Sequence, residues 1–289
     1  MRTNEEFGTG INRQTPLALR RGIDALIAIS KPIKSVSIEG QSNLIEIPQN
    51  TPVIVAVSHE TGFDIPLSIK ALGEHLDLAV TDQSTHHSLR SEPNMFLSLK
   101  MSGGENYIPI SYGWEDGKKV PGMFDPSDAL PMIEAFNHGK SIIVASHNPL
   151  TADSEGGIKK PKPGYSAAYL ALLTGAPILP VAISMLPTEK MGRFDAIVNI
   201  GHSFTLAEQV GIENIQLLSA KRKNGEKLTT DEASELGQQL KGLRGAGQVI
   251  FNEVINLEVS QGSFPQYDTK QKMGNAAIKV GNSFVGPIC

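Results

Sequence analysis

Cysteine is nearly absent from this chain: the last of its 289 residues, Cys289, is the only one. No intramolecular disulfide and no cysteine-built metal site can therefore form. Cys289 also stands too close to the end for a prenylation box, which needs its cysteine fourth from the terminus. Long apolar runs are missing as well. The most apolar stretch, 167–183, is interrupted by Gly175, Pro177 and Pro180 and falls short of a membrane-spanning helix. A dominant charge is lacking too, since 26 Lys and Arg stand against 30 Asp and Glu for a net −4. That balance gives no electrostatic footprint for nucleic acid, and none is expected as a partner. Met1 to Glu6 is acidic where a secretory signal would be basic and then apolar, so the chain is expected in the cytoplasm. No internal repeat or low-complexity tract occurs. What is present is a globular composition, 40% apolar and 19% charged, which excludes disordered, collagen-like and coiled-coil classes.

Along the chain, strand-like and helix-like patterns alternate. Thr15-Pro16 reads as an N-cap and first helical residue, opening a helix over 15–30 with apolar residues on one side and Arg20 and Arg21 elsewhere. A β-like pair comes next at 35–39 and 44–47. Residues 52–57, Pro-Val-Ile-Val-Ala-Val, form a continuous β-branched run, the mark of a strand buried on both faces. The pattern then predicts helix 64–72, strand 78–81, helix 93–101, strand 107–110, a loop over 113–122, a helix from Asp125 to Gly139 and strand 141–145. A polar loop over 146–163 leads to helix 164–174, stopped by Gly175, and to strand 178–183. A further strand is expected at 196–200. Thr229-Thr230-Asp231-Glu232 is a capping box for a helix ending near Leu243, with another helix over 248–259. The expected fold is α/β, a mostly parallel central sheet flanked by helices, in one domain over 1–259 with a Gly-, Ser- and Asn-rich tail over 260–289.

The sharpest local feature is Ser58-His59-Glu60-Thr61-Gly62-Phe63-Asp64, a polar burst at the end of the apolar strand. In parallel α/β sheets, ligands bind beyond the carboxyl ends of the strands. A loop carrying His59 into a helix headed by Asp64 brings the two within reach, Asp64 orienting an imidazole that takes a proton from a hydroxyl. The structural alternative is that His59 caps the helix and Asp64 is its N-terminal acid. A zinc site of the HExxH kind is excluded because Phe63 stands where its second histidine belongs. Gly164-Tyr165-Ser166 is similar to a nucleophile elbow but lacks the second glycine and comes after a loop, so Ser166 reads as a first-turn helix residue. His86-His87 lies in a polar loop and reads as solvated. The loop 153–164, with Lys159, Lys160 and Lys162 leading to Gly164 and a helix start, combines cations with free N–H donors and suits an anionic group, or is simply a solvated basic surface.

In order and spacing these pieces resemble the glycerolipid acyltransferase family. Its first block, H-x-x-x-x-D after a buried strand, is similar to His59 through Asp64. Its second, G-x-x-F-I-x-R, is similar to Gly104-Glu105-Asn106-Tyr107-Ile108-Pro109-Ile110, with Tyr107 for Phe and Ile110 in place of the arginine. Its third, F-P-E-G-T-R, falls on Ala145-Ser146-His147-Asn148-Pro149-Leu150 and is not preserved. Lys162-Pro163-Gly164, residues 176–183 and residues 228–245 resemble the family's later blocks and C-terminal region. The resemblance implies acyl transfer from acyl-CoA or acyl-carrier protein to a hydroxyl of a glycerolipid-like acceptor, with His59 as general base and Asp64 orienting it. It implies substrate contacts at Gly104, Tyr107, His147, Lys159, Lys160, Lys162 and Gly164, and no metal or bound cofactor. Helix 15–30 is then a candidate for peripheral contact with a membrane surface. Two alternatives stay open: a catalytically weakened relative that binds lipid or a partner protein, and a serine hydrolase using Ser166.

Overall fold

The computed structural model describes residues 14–29, 32–48, 50–58, 63–82, 106–109, 114–115, 118–119, 129–147, 163–190, 193–206, 212 and 214–258. The expected helix 93–101 and tail 260–289 lie outside them, as do His59, His86, His87, Gly104, Lys159, Lys160 and Lys162. In chain order the elements are α1 Leu17–Ile29, β1 Ile33–Glu39, β2 Ile54–Val57, α2 Asp64–Leu72, β3 Leu78–Asp82 and β4 Tyr107–Pro109. They continue with β5 Trp114–Glu115, β6 Lys118–Lys119, α3 Ala129–Asn137, β7 Ser141–Ala145, α4 Ser166–Thr174, β8 Ile178–Pro187, β9 Phe194–Ile200, α5 Ile215–Lys223 and α6 Thr230–Asn256.

Seven strands form one sheet in the order β1-β9-β8-β2-β7-β3-β4, and every pair except the β8–β9 hairpin is parallel. The α/β sheet flanked by helices is thus as expected. Because the central strands are covered on both faces, their side chains alternate between two apolar cores rather than between core and solvent. Val55, Val57, Val80 and Ile143 face a layer with α1 and α2. Ile54, Ala56, Ile142 and Val144 face the layer of α3, α4, α5 and α6.

The connections locate the site. From β2 the chain crosses through α2 on the first face and passes over β7 to β3. From β7 it crosses through α4 on the second face, in the opposite direction, passing over β2 to β8. Right-handed crossovers moving in opposite directions must lie on opposite faces. The connections leaving the paired carboxyl ends of β2 and β7 therefore go to opposite faces, and such a switch point is where doubly wound sheets take ligands.

Several local expectations are corrected. Residues 44–47 do not extend a strand; Gln41–Glu46 is a 3-10 helix entered through Gly40 at φ 74°. A side chain at Gly40 would meet the Ile200 carbonyl, so a glycine is required there. Thr15 does not cap α1. Its buried hydroxyl donates to the Leu76 carbonyl at 2.8 Å and accepts from the Leu78 amide at 3.0 Å, tying the entry of α1 to the start of β3. The middle of the apolar side of α1 packs inward, while Leu17 and Ile29 at its ends are exposed. Leu19 and Ile23 are fully buried and Ile27 nearly so, packed in the core that α2 shares, while Arg20 pairs with Glu74 at 3.0 Å and Asp24 with Lys70 at 2.6 Å. The helix is amphipathic, as its pattern predicts, and Leu19, Ile23 and Ile27 are the part of its apolar face that packs on the sheet layer.

The loop expected at 113–122 contains the short β5–β6 pair, and α5 has no counterpart among the elements expected from the sequence pattern. The expected break near Leu243 is absent: α6 runs unbroken for 27 residues behind its capping box. There Thr229 Oγ1 accepts from the Glu232 amide at 3.2 Å and the Glu232 carboxylate accepts from the Thr229 amide at 2.9 Å. Leu236, Leu243, Ala246, Ile250 and Val254 keep one stripe buried along its length, and tertiary burial outweighs the glycines' weak helix preference.

Candidate active site

The run Ile54–Val57 is buried at every position, so β2 can end only where the sheet lets it leave. That place is Ser58. Its amide still donates to the Val181 carbonyl at 3.0 Å, but its fully buried hydroxyl accepts from the Ile183 amide at 2.8 Å. A side-chain oxygen thereby takes the part a continuing main chain would play, and the backbone turns out of the ladder with His59 next in sequence. Five residues after His59 the chain enters α2 at Asp64. The N-cap residue is Phe63, with no side-chain cap bond. Asp64 does occupy the first turn, as the structural alternative required, yet it is only 1% exposed.

On the other side of the switch point, β7 ends in Ala145-Ser146-His147. The Ser146 amide donates to the Val57 carbonyl at 2.8 Å, and the Ser146 carbonyl accepts from the Gly164 amide at 2.8 Å. His147 forms an isolated antiparallel bridge with Pro163. Ser146 and His147 are both 1% exposed, with Ser146 Oγ 3.0 Å from His147 Nδ1. The imidazole meets the Phe251 ring edge-on, centroids 5.4 Å apart and planes at 78°. Gly164 lies against the strand end, where a Cβ would come within 3.1 Å of the Ala145 carbonyl.

Asp64 heads the helix that follows β2, while His147 and Gly164 meet at the carboxyl end of β7. Tyr107 does not join them. It lies within the outermost strand, β4, paired with Val80 and packed toward the core of α1 and α2. Its neighbour Asn106 serves the opposite, amino edge, donating to the Leu78 carbonyl at 2.6 Å and to Asp77 at 3.2 Å; Asp77 also pairs with Lys140 at 3.3 Å. These groups hold strand starts together. Ser166 is the first residue of α4, and among the described residues the serine that bonds a histidine ring is Ser146. Sequence pattern alone misses the parts played by Ser58 and Phe251. Ser58 carries a detectable signal, a small hydroxyl residue closing an apolar strand; Phe251 carries none locally, since only tertiary packing brings α6 under His147.

Among the described residues no group of three His, Cys, Asp or Glu could hold a metal ion, and no helix is long and apolar enough to cross a membrane. No protein-family model matches the chain, and no curated protein does. Among solved structures, the chain is similar to PlsC, the 1-acyl-sn-glycerophosphate (LPA) acyltransferase from Thermotoga maritima. That likeness covers 72% of this chain and 76% of that one at 18% identity, with a TM-score of 0.43.

Proposed function

We propose that the protein is an acyltransferase in which His59 is the general base and Asp64 its orienting partner. The observation that carries the reading is the burial of Asp64: a carboxylate 1% exposed, at the head of α2, five residues beyond a histidine that comes directly after the strand end at the β2–β7 switch point. In the reaction His59 takes the proton of an acceptor hydroxyl as its oxygen attacks the carbonyl carbon of an acyl thioester. The tetrahedral adduct collapses, the C–S bond breaks, and the departing thiolate recovers the proton from the imidazolium. An ester and a thiol result, with no oxidant or reductant required. Asp64 holds the second ring nitrogen and stabilises the transient imidazolium. The donor is acyl-CoA or acyl-carrier protein, and the acceptor a glycerolipid-like alcohol.

The test is release of free thiol from acyl-CoA in the presence of monoacylglycerol or its 3-phosphate. His59→Ala should lower the rate by roughly a hundred- to ten-thousand-fold with an unchanged unfolding midpoint, and Asp64→Asn should lose activity as well. A folded His59→Ala that matches wild type overturns the assignment.

A further inference from the structure

We infer that α6 is part of the active site's construction, with Phe251 as a positioning residue that acts through His147. The inference rests on the acyl-transfer reading and extends it to a helix that no motif marks.

Two residues one turn apart on α6 touch the carboxyl edge of the sheet. At Gly247 the helix comes so close that an added Cβ would lie 2.6 Å from the Gly164 carbonyl oxygen. One turn later Phe251 presents its ring to His147, edge to face, at 5.4 Å. Residues four apart share a helix face, so the two contacts act as one unit. The far end of the helix is anchored separately: Asn199 donates to the Leu257 carbonyl at 2.9 Å, and Leu257 packs against Gly201. Between these points Ile250 and Val254 are buried in the core of the second face. The helix is therefore fixed in register along its lower half and can neither rotate nor slide without breaking a contact.

His147 is held from three directions as a result. Ser146 Oγ meets Nδ1, Pro163 bridges its backbone, and Phe251 limits the tilt of the ring. The first two restraints come from the strand end and its return loop; the third comes from α6. Without the aromatic contact the imidazole keeps its bond to Ser146 and loses the restraint on the α6 side. An aliphatic residue in place of Phe251 would preserve apolar bulk and lose this directional contact.

The experiment compares wild type, Phe251→Leu and Phe251→Tyr in three measurements: unfolding midpoint, the imidazole 1H–15N correlations as a function of pH, and acyl-transfer kinetics with donor and acceptor varied separately. Phe251→Leu should shift the His147 correlation and leave those of the other histidines in place. It should raise the acceptor KM roughly three- to tenfold, the scale of one aromatic edge contact, with the donor KM unchanged. Phe251→Tyr should restore both. An unmoved His147 signal, or unchanged kinetics in Phe251→Leu, overturns the inference while leaving acyl transfer intact. Absence of transfer in wild type overturns the parent reading, and the His147 correlation then still decides whether Phe251 positions the ring.

Discussion

Replacing Gly247 by alanine sets two effects of opposite sign against each other within one helix. Alanine is the better helix former by about 1 kcal/mol, so propensity alone predicts a gain. At Gly247, however, the new Cβ lies 2.6 Å from the Gly164 carbonyl oxygen, closer than carbon and oxygen can approach without displacement. The obstacle is main chain rather than a side-chain tip. Gly164 cannot yield easily, because it is itself pressed against the end of β7 and its amide is bonded to Ser146. Overpacking of a well-filled interior costs about 1–3 kcal/mol, and the net effect should be a loss of up to about 2 kcal/mol.

Gly237 and Gly245, in the same helix, are exposed and have nothing within 4 Å of an added Cβ. Alanine there should realise the propensity gain of about 0.5–1 kcal/mol each. For a chain of this size about 2–4 °C accompanies each kcal/mol, so thermal unfolding should place Gly247→Ala up to roughly 8 °C below wild type and the two controls above it. Because Gly164 adjoins His147, Gly247→Ala should also lose transfer activity, whereas the controls should not. A rise in midpoint for all three variants would refute the close approach of α6 to the strand end.

Ser58→Ala removes the acceptor for the buried Ile183 amide and should cost about 1–3 kcal/mol by urea titration; an unchanged midpoint would mean that the hydroxyl does not close the strand. Leu19→Ser or Ile23→Ser should each destabilise by about 2–5 kcal/mol, as loss of core packing does, and wild-type stability in either variant would restore the case for a free apolar face on α1. The hydrogen bond from Lys221, followed by that from the Thr229 amide, holds the Glu232 carboxyl below its ordinary value of 4.5. A carboxyl depressed in the folded state contributes stability above the unfolded value and loses it as pH falls through the folded one. The stability difference between wild type and Glu232→Gln should accordingly hold steady near neutrality and shrink below pH 4.5; parallel curves down to that range and beyond would contradict it.

Much of the sheet is legible because burial on two faces writes itself as unbroken β-branched runs. Strand 141–145 and helix 64–72 fall on their observed bounds, and the strands expected at 52–57 and 178–183 exist with only their ends displaced. Failures occur where a residue's partner lies far away in sequence. Thr15 has the chemistry of an N-cap, but a gap at the start of β3, more than sixty residues on, offers its hydroxyl two buried bonds. Gly247 looks like part of a helix stop, since nothing nearby reveals that Gly164 will press against it.

The candidate site divides along the same line. Ser58 through Asp64 is contiguous, so a strand end, a histidine and a helix-heading acid can be recognised from spacing. His147 depends on a second strand, and its ring on a helix a hundred residues later. Strand order explains why these distant pieces meet. Two adjacent strands whose crossovers leave in opposite directions form a switch point at their carboxyl ends, and polar residues can stand there without disturbing either apolar core. Asp64, beside the layer of α1 and α2, and His147, held by Phe251 beside the layer of α6, therefore flank the end of β2 from opposite faces of the sheet. On the proposed acyl-transfer reading, Asp64 belongs to the side of the base and His147 to the side of the acceptor. Substitutions beside Asp64 should then act first on the proton-transfer step, and those beside His147 on binding of the acceptor.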